Sequence, residues 1–196
     1  MRSAAWLALL SVLLGACAAP SMQAQWRSPA LDSVKLAGQP VWVSCVAREQ
    51  TLAMVCEDQL ATQLAAAGVK ALRAAPGQVL PAGAVLANAK GAGAVALLSM
   101  KLESGVRPSS SGASLGIGIG GGSWGSGGGG GVSGGIALPI GGNSGETLSG
   151  EASLTQASDG QVLWSGTASS GAGSASGQIE GLARTTIDAL RQAGVL

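Results

Sequence analysis

Three pentapeptides in the chain match Gly-x-Ser-x-Gly, the pattern that presents a nucleophilic serine in many hydrolases. They occupy residues 112–116, 121–125 and 131–135, all within one glycine-rich stretch. In a hydrolase the serine lies on a tight turn between a strand and a helix, and a histidine removes its proton. No helical pattern follows any of the three matches, and the chain contains no histidine. We therefore expect no catalytic serine.

Two further patterns point to a cofactor or a metal, and the residues around them argue against both. Gly116-x-Gly118-x-x-Gly121 matches the dinucleotide fingerprint, which needs a helix N-terminus to hold the pyrophosphate, but more glycine follows it. Glu57 and Asp58 are adjacent, so on a helix they point apart and belong to a solvated face. We expect no catalytic residue, no cofactor and no metal site, and therefore no enzyme.

The composition narrows the classes of partner. The 196 residues include 11 Lys and Arg against 10 Asp and Glu, which gives a formal net charge of +1. A chain so close to neutral offers no electrostatic reason to bind nucleic acid. The length is that of one domain of ordinary size.

The N-terminal residues have the pattern of an export signal. Arg2 is followed by an apolar run over residues 4–14, which is too short to span a bilayer but suits a signal peptide. The run ends in Leu-Gly-Ala-Cys at residues 14–17, which resembles the lipobox of bacterial lipoproteins. The resemblance implies that residues 1–16 are a signal peptide and that Cys17 is the lipidation site, carrying acyl chains such as palmitate.

The residue after the lipobox bears on the destination. Position 18 is alanine and not the aspartate that retains enteric lipoproteins at the inner membrane. By that resemblance the protein is anchored in the outer membrane, on its periplasmic face, with the inner membrane as the less favoured location. Residues 17–33 show no sustained period and are interpreted as an acylated tether, so the folded domain is expected over residues 34–196.

Alternation and helical periodicity place the elements of that domain. Strands are predicted at residues 41–46, 69–72, 95–102, 147–155 and 161–169, and helices at 51–67, 81–90 and 177–193, the last with Ser176 as its N-cap. Residues 105–145 form a glycine-rich insertion in which aliphatic side chains alternate with glycine. This segment is either a long hairpin with its tip near residues 123–131 or a flexible linker.

Two cysteines remain in the mature chain once Cys17 is acylated. Cys45 has the same strand parity as Val41 and Val43, and Cys56 lies on the apolar stripe of the following helix. Both sulfur atoms therefore point into the layer between strand and helix, and the periplasm permits oxidation. We predict a disulfide between Cys45 and Cys56, the alternative being two buried thiols that act as small apolar side chains.

The element order predicts an α+β fold: a mixed, mostly antiparallel sheet with amphipathic helices on one face and the glycine-rich insertion as a hairpin or loop. This order resembles the small periplasmic α/β lipoprotein domains. Those include the penicillin-binding-protein activator lipoproteins, the N-terminal domain of the Tol-system propeller protein and the periplasmic domain of the curli secretion channel.

Three functions are compatible with these features. The first is a non-catalytic lipoprotein that faces the periplasm and binds an envelope protein or other copies of itself. The second, implied by the resemblance to the curli channel, is an oligomeric pore or assembly component that uses the glycine-rich hairpin. The third and least favoured is an enzyme of unfamiliar type.

Overall fold

The computed structural model describes residues 20–75, 78, 80–106, 114–116, 137–139, 146–171 and 173–196. Its strands are β1 (Ser21–Arg27), β2 (Pro40–Val46), β3 (Lys70–Leu72), β4 (Ala96–Val106), β5 (Ser114–Gly116), β6 (Ala137–Pro139), β7 (Glu146–Gln156) and β8 (Val162–Ser169). Its helices are α1 (Gln50–Ala66), α2 (Ala82–Gly91) and α3 (Ala175–Gln192), with a short 3-10 helix at Pro29–Ser33.

Six strands form one mixed sheet in the order β1–β8–β7–β4–β2–β3. β2 runs parallel to β3 and β4, whereas β8 is antiparallel to both β1 and β7. The contacts between β4 and β7 run in opposite order, since Ser99 meets Ser153 and Glu103 meets Ser149. The predicted α+β class with a mixed, mostly antiparallel sheet is therefore confirmed.

The main core lies between one face of the sheet and helices α1 and α3. Val41 and Val43 of β2 and Cys56, Leu60 and Leu64 of α1 are all fully buried there. The apolar stripe of α3 packs against the same layer with Ile179, Leu182, Ala183, Ile187 and Leu190. The buried side chains of each helix recur every three or four residues, which is why the apolar periodicity of the sequence predicted both helices.

Helix α2 lies on the other face of the sheet, whereas the sequence predicts all helices on one face. Trp42 of β2 and Leu97 of β4 have the opposite parity to Val41 and Leu98, and they pack with Val85 and Ala89 of α2 in a second apolar cluster. β2 is thus covered on both faces. Its Val-Trp-Val run is the continuous apolar pattern expected of a strand buried on two sides.

An edge strand, β1, occupies part of the segment that the sequence predicts to be a tether. Ser21–Arg27 pairs with β8, and a 3-10 helix follows it at Pro29–Ser33. All the residues of β1 except Met22 are exposed. A strand without a buried face has no alternation of apolar and polar residues, so periodicity could not reveal it.

A buried polar network holds the chain where β7 enters the main sheet. The Leu148 amide donates to Gln178 Oε1 at 2.7 Å and to Ser170 Oγ at 2.9 Å. Gln178 Nε2 donates in turn to the Gly173 carbonyl at 2.8 Å. The end of β8 and the first turns of α3 thereby position the beginning of β7.

The chain divides into two compact units, residues 106–146 and the remainder. Within the smaller unit, Ser114–Gly116 pairs antiparallel with Ala137–Pro139, and Leu115 lies opposite Leu138. The rest of the predicted hairpin, including its tip at residues 123–131, lies outside the described residues.

Replacing Ser109–Asn143 by a short turn should leave the main unit folded. Gly105 and Thr147, which flank the insertion in the main unit, are already close together, because Thr147 Oγ1 donates to the Gly105 carbonyl at 3.1 Å. The many glycines of the segment also lose backbone entropy on ordering, so the segment contributes little to stability. We expect the melting temperature, followed by circular dichroism, to stay within about 10 °C of wild type. A larger fall would place the segment in the core.

Candidate functional site

The predicted lipidation site, Cys17, lies outside the described residues, so acylation and cleavage of residues 1–16 remain predictions. Within the part of the chain that the structure describes, no helix is long and apolar enough to cross a membrane.

The disulfide between Cys45 and Cys56 is present in the structure. It joins β2 to α1 with a Cα–Cα distance of 6.0 Å, and both residues are buried, with 8% and 0% of their surface exposed. The parity of Cys45 and the helical position of Cys56 bring the two side chains together as the sequence predicts.

Only parts of the serine and glycine motifs fall within the described residues. Ser114, the serine of the first Gly-x-Ser-x-Gly match, lies in strand β5 opposite Pro139, and not on a turn between a strand and a helix. Gly116 ends the same strand. The other two matches, and Gly118 and Gly121 of the dinucleotide pattern, lie outside the described residues.

The adjacent carboxylates on α1 serve two different partners. Glu57 Oε1 accepts a hydrogen bond from the Cys45 amide at 3.1 Å, and Asp58 forms an ion pair with Arg73, which follows β3. No group of three or more Cys, Asp or Glu side chains that could hold a metal ion occurs among the described residues. Glu57 and Asp58 thus fix α1 against the ends of β2 and β3.

A groove of about 490 Å³ opens at the carboxyl ends of the parallel strands β2 and β3. Its walls come from β2, the segments that follow β2 and β3, the first half of α1, and α2. The side chains that define it are Trp42, Val46, Arg48, Met54, Arg73 and Val85. The disulfide and the Asp58–Arg73 ion pair hold the walls together, because Cys45, Asp58 and Arg73 also line it.

A separate charged pair lies on the exposed surface of β4. The Lys101 ammonium donates to Glu103, and this hydrogen bond, together with the attraction between the charges, lowers the pKa of Glu103 and raises that of Lys101. Both side chains are more than half exposed, so solvent screens the pair and it carries little stability.

The groove was not predicted from the sequence, because the feature that marks it depends on the topology. Ligands in open sheets bind beyond the carboxyl ends of parallel strands, and Arg48 lies two residues beyond the end of β2. The parallel pairing of β2 with β3 and β4 is not visible in the sequence, so the position of Arg48 carried no meaning until the topology was known.

The architecture is that of a small α+β domain with a six-stranded mixed sheet, and solved structures share it. Neither a family model nor a curated protein sequence matches the chain. The PelC dodecamer from Paraburkholderia phytofirmans is similar with a TM-score of 0.53 and 19% identity, over 87% of this chain and 96% of that one. A point variant of PelC in another crystal form, also a dodecamer, has a TM-score of 0.54 and 19% identity, over 87% of this chain and 97% of that one.

A third similar structure is lipoprotein GNA1162 from Neisseria meningitidis. Its identity is 18% and its TM-score 0.41, over 69% of this chain and 82% of that one. At these identities the likeness to PelC establishes the fold.

Proposed function

We propose that this chain is a non-catalytic, lipid-anchored protein of the outer membrane that faces the periplasm and acts by binding, first of all to other copies of itself. The observation that carries the proposal is the likeness to PelC over nearly the full length of both chains, since PelC is a dodecamer. The lipobox-like residues 14–17 support the anchor.

The residue types in the chain support a role without catalysis. The sequence has no histidine and no tyrosine, which removes the commonest general base and the phenolic acid. The carboxylates of α1 are engaged with Cys45 and Arg73. Binding requires only an accessible surface, and the edge strand β1 provides one.

The edge strand β1 is the surface that we assign to self-association. Edge strands present unpaired backbone groups that can pair with another chain. β1 is seven residues long, and Trp26 at its end is 53% exposed. Exposed tryptophan is enriched where proteins meet, because it removes a large apolar area from water.

The number of copies in the assembly tests the proposal. Native mass spectrometry of the acylated full chain, extracted in detergent from crosslinked and untreated envelopes, should show a complex of several copies. Trp26→Lys adds a charge to the edge and should shift the population toward monomer. Val95→Lys, which changes another exposed apolar residue just before β4, is the matched control and should assemble as wild type does.

A monomer that crosslinks to one stoichiometric envelope protein would support binding to a partner and not to itself. A monomer without any crosslinked partner would overturn the proposal.

The role as a pore component receives less support. A transmembrane strand needs about 9–11 residues, whereas the first run of aliphatic residues alternating with glycine in the insertion, residues 115–119, has five.

A further inference from the structure

The groove beyond β2 and β3 has the dimensions of a small-molecule site. Its volume of about 490 Å³ falls within the range of roughly 300–1,000 Å³ typical of ligand pockets. The disulfide, whose Cys45 lines the groove, joins β2 to α1 covalently. The Asp58–Arg73 ion pair also links α1 to the segment after β3, but both side chains are about half exposed, so it adds little rigidity.

One side of the groove is apolar and open to solvent. Val46 and Met54 are 56% and 45% exposed, although side chains of their size are usually buried. Trp42 and Val85 line the groove beside them. A ligand with an apolar body would remove Val46 and Met54 from water, and methionine adapts to irregular shapes.

Four charged side chains line the groove, the cations Arg48 and Arg73 and the anions Glu57 and Asp58. Asp58 and Arg73 form an ion pair, and Glu57 accepts a hydrogen bond from the Cys45 amide. Arg48 lines the groove and forms no ion pair with another residue that the structure describes. Its guanidinium is suited to bind a carboxylate with two parallel hydrogen bonds.

We propose that this groove binds a small apolar carboxylate, with the apolar body against Val46 and Met54 and the carboxylate on Arg48. The groove is formed within one chain, so the site does not depend on the proposed self-association. Two sources offer this chemistry, a fatty acid and the C-terminal residues of an apolar peptide, and the experiment separates them.

The test uses the acylated full chain in lipid nanodiscs with a photoreactive octanoate that carries a diazirine on its chain. Mass spectrometry of the digested protein should place the label within residues 42–54. Excess octanoate should compete and 1-octanol should not, because the alcohol lacks the charge. A tripeptide ending in leucine with a free carboxylate, compared with its amide, is the second competitor; whichever carboxylate competes at lower concentration identifies the source.

Variants of Arg48 decide whether the guanidinium binds the anion. Arg48→Gln should reduce labelling about tenfold or more, and Arg48→Lys should restore part of it. Arg184→Gln removes an exposed charge from α3 and is the matched control, expected to label as wild type. Equal labelling of Arg48→Gln and wild type at equal melting temperature, label spread over the whole surface, or equal competition by 1-octanol would each overturn the proposal.

Discussion

The Cys17→Ala variant is expected to lose its membrane attachment completely. Two or three acyl chains, at about 0.8 kcal/mol for each methylene group, hold a lipoprotein stably in the membrane. Only a thiol can form the thioether to the first lipid, and alanine has none. The variant should remain an unprocessed precursor or enter the soluble fraction, and it should incorporate no palmitate analogue in metabolic labelling.

The other two cysteines are internal controls for this experiment. Cys45→Ala and Cys56→Ala keep residue 17 intact and should label as wild type does. Equal labelling of wild type and Cys17→Ala would show that the lipobox resemblance has misidentified the modified residue.

Removing the disulfide with the double variant Cys45→Ala/Cys56→Ala should lower the free energy of unfolding by about 2–3 kcal/mol. The bond closes a loop with a sequence separation of 11, and its loss frees the unfolded chain to explore more conformations. For a chain of this length the melting temperature should fall by roughly 5–10 °C. Thermal unfolding followed by circular dichroism measures this change.

A reductant distinguishes loss of the bond from loss of packing. Wild type treated with reductant should melt near the temperature of the double variant, and the double variant should not respond to reductant. Mass spectrometry of non-reduced, alkylated protein from the periplasm gives a direct answer. Alkylation at both Cys45 and Cys56 would refute the bond.

The two helices of the main core were predictable because each has one buried and one exposed side. Helix α1 was expected at residues 51–67 and spans Gln50–Ala66, and α3 was expected at 177–193 and spans Ala175–Gln192. Their stripes of leucine and isoleucine recur with a period of 3.6 residues, which is visible in the sequence without knowledge of the topology. The pairing of Cys45 with Cys56 followed from the strand period of two residues and this helical period.

Features that depend on the arrangement of elements were not predictable. The N-cap of α3 is Ser174, which accepts a hydrogen bond from the Gly177 amide, and not the predicted Ser176. Serine is favoured at an N-cap wherever it occurs, so the sequence did not distinguish the two residues. Strand β8 buries both Leu163 and Trp164, since the register shifts between the pairs Leu154–Trp164 and Thr155–Val162. A bulge of this kind breaks the alternation on which a strand prediction depends.

The candidate groove was beyond prediction for the same reason. Arg48 and Met54 follow β2 and Arg73 follows β3, so the three line one groove only because β2 runs parallel to β3. None of the three belongs to a motif. Cys17, in contrast, lies within a local motif, so sequence alone nominates it.

The pairing of β1 with β8 sets how far the domain can reach from the membrane. With Cys17 acylated as proposed, only the steps from Cys17 to Ser21 separate the lipid from the sheet, a span of roughly 14 Å at most. A chain free as far as Ser33 would allow roughly 55 Å. The β-sheet domain is therefore expected to remain beside the lipid headgroups, where neighbouring copies share one surface, and any partner in the periplasm has to come to it.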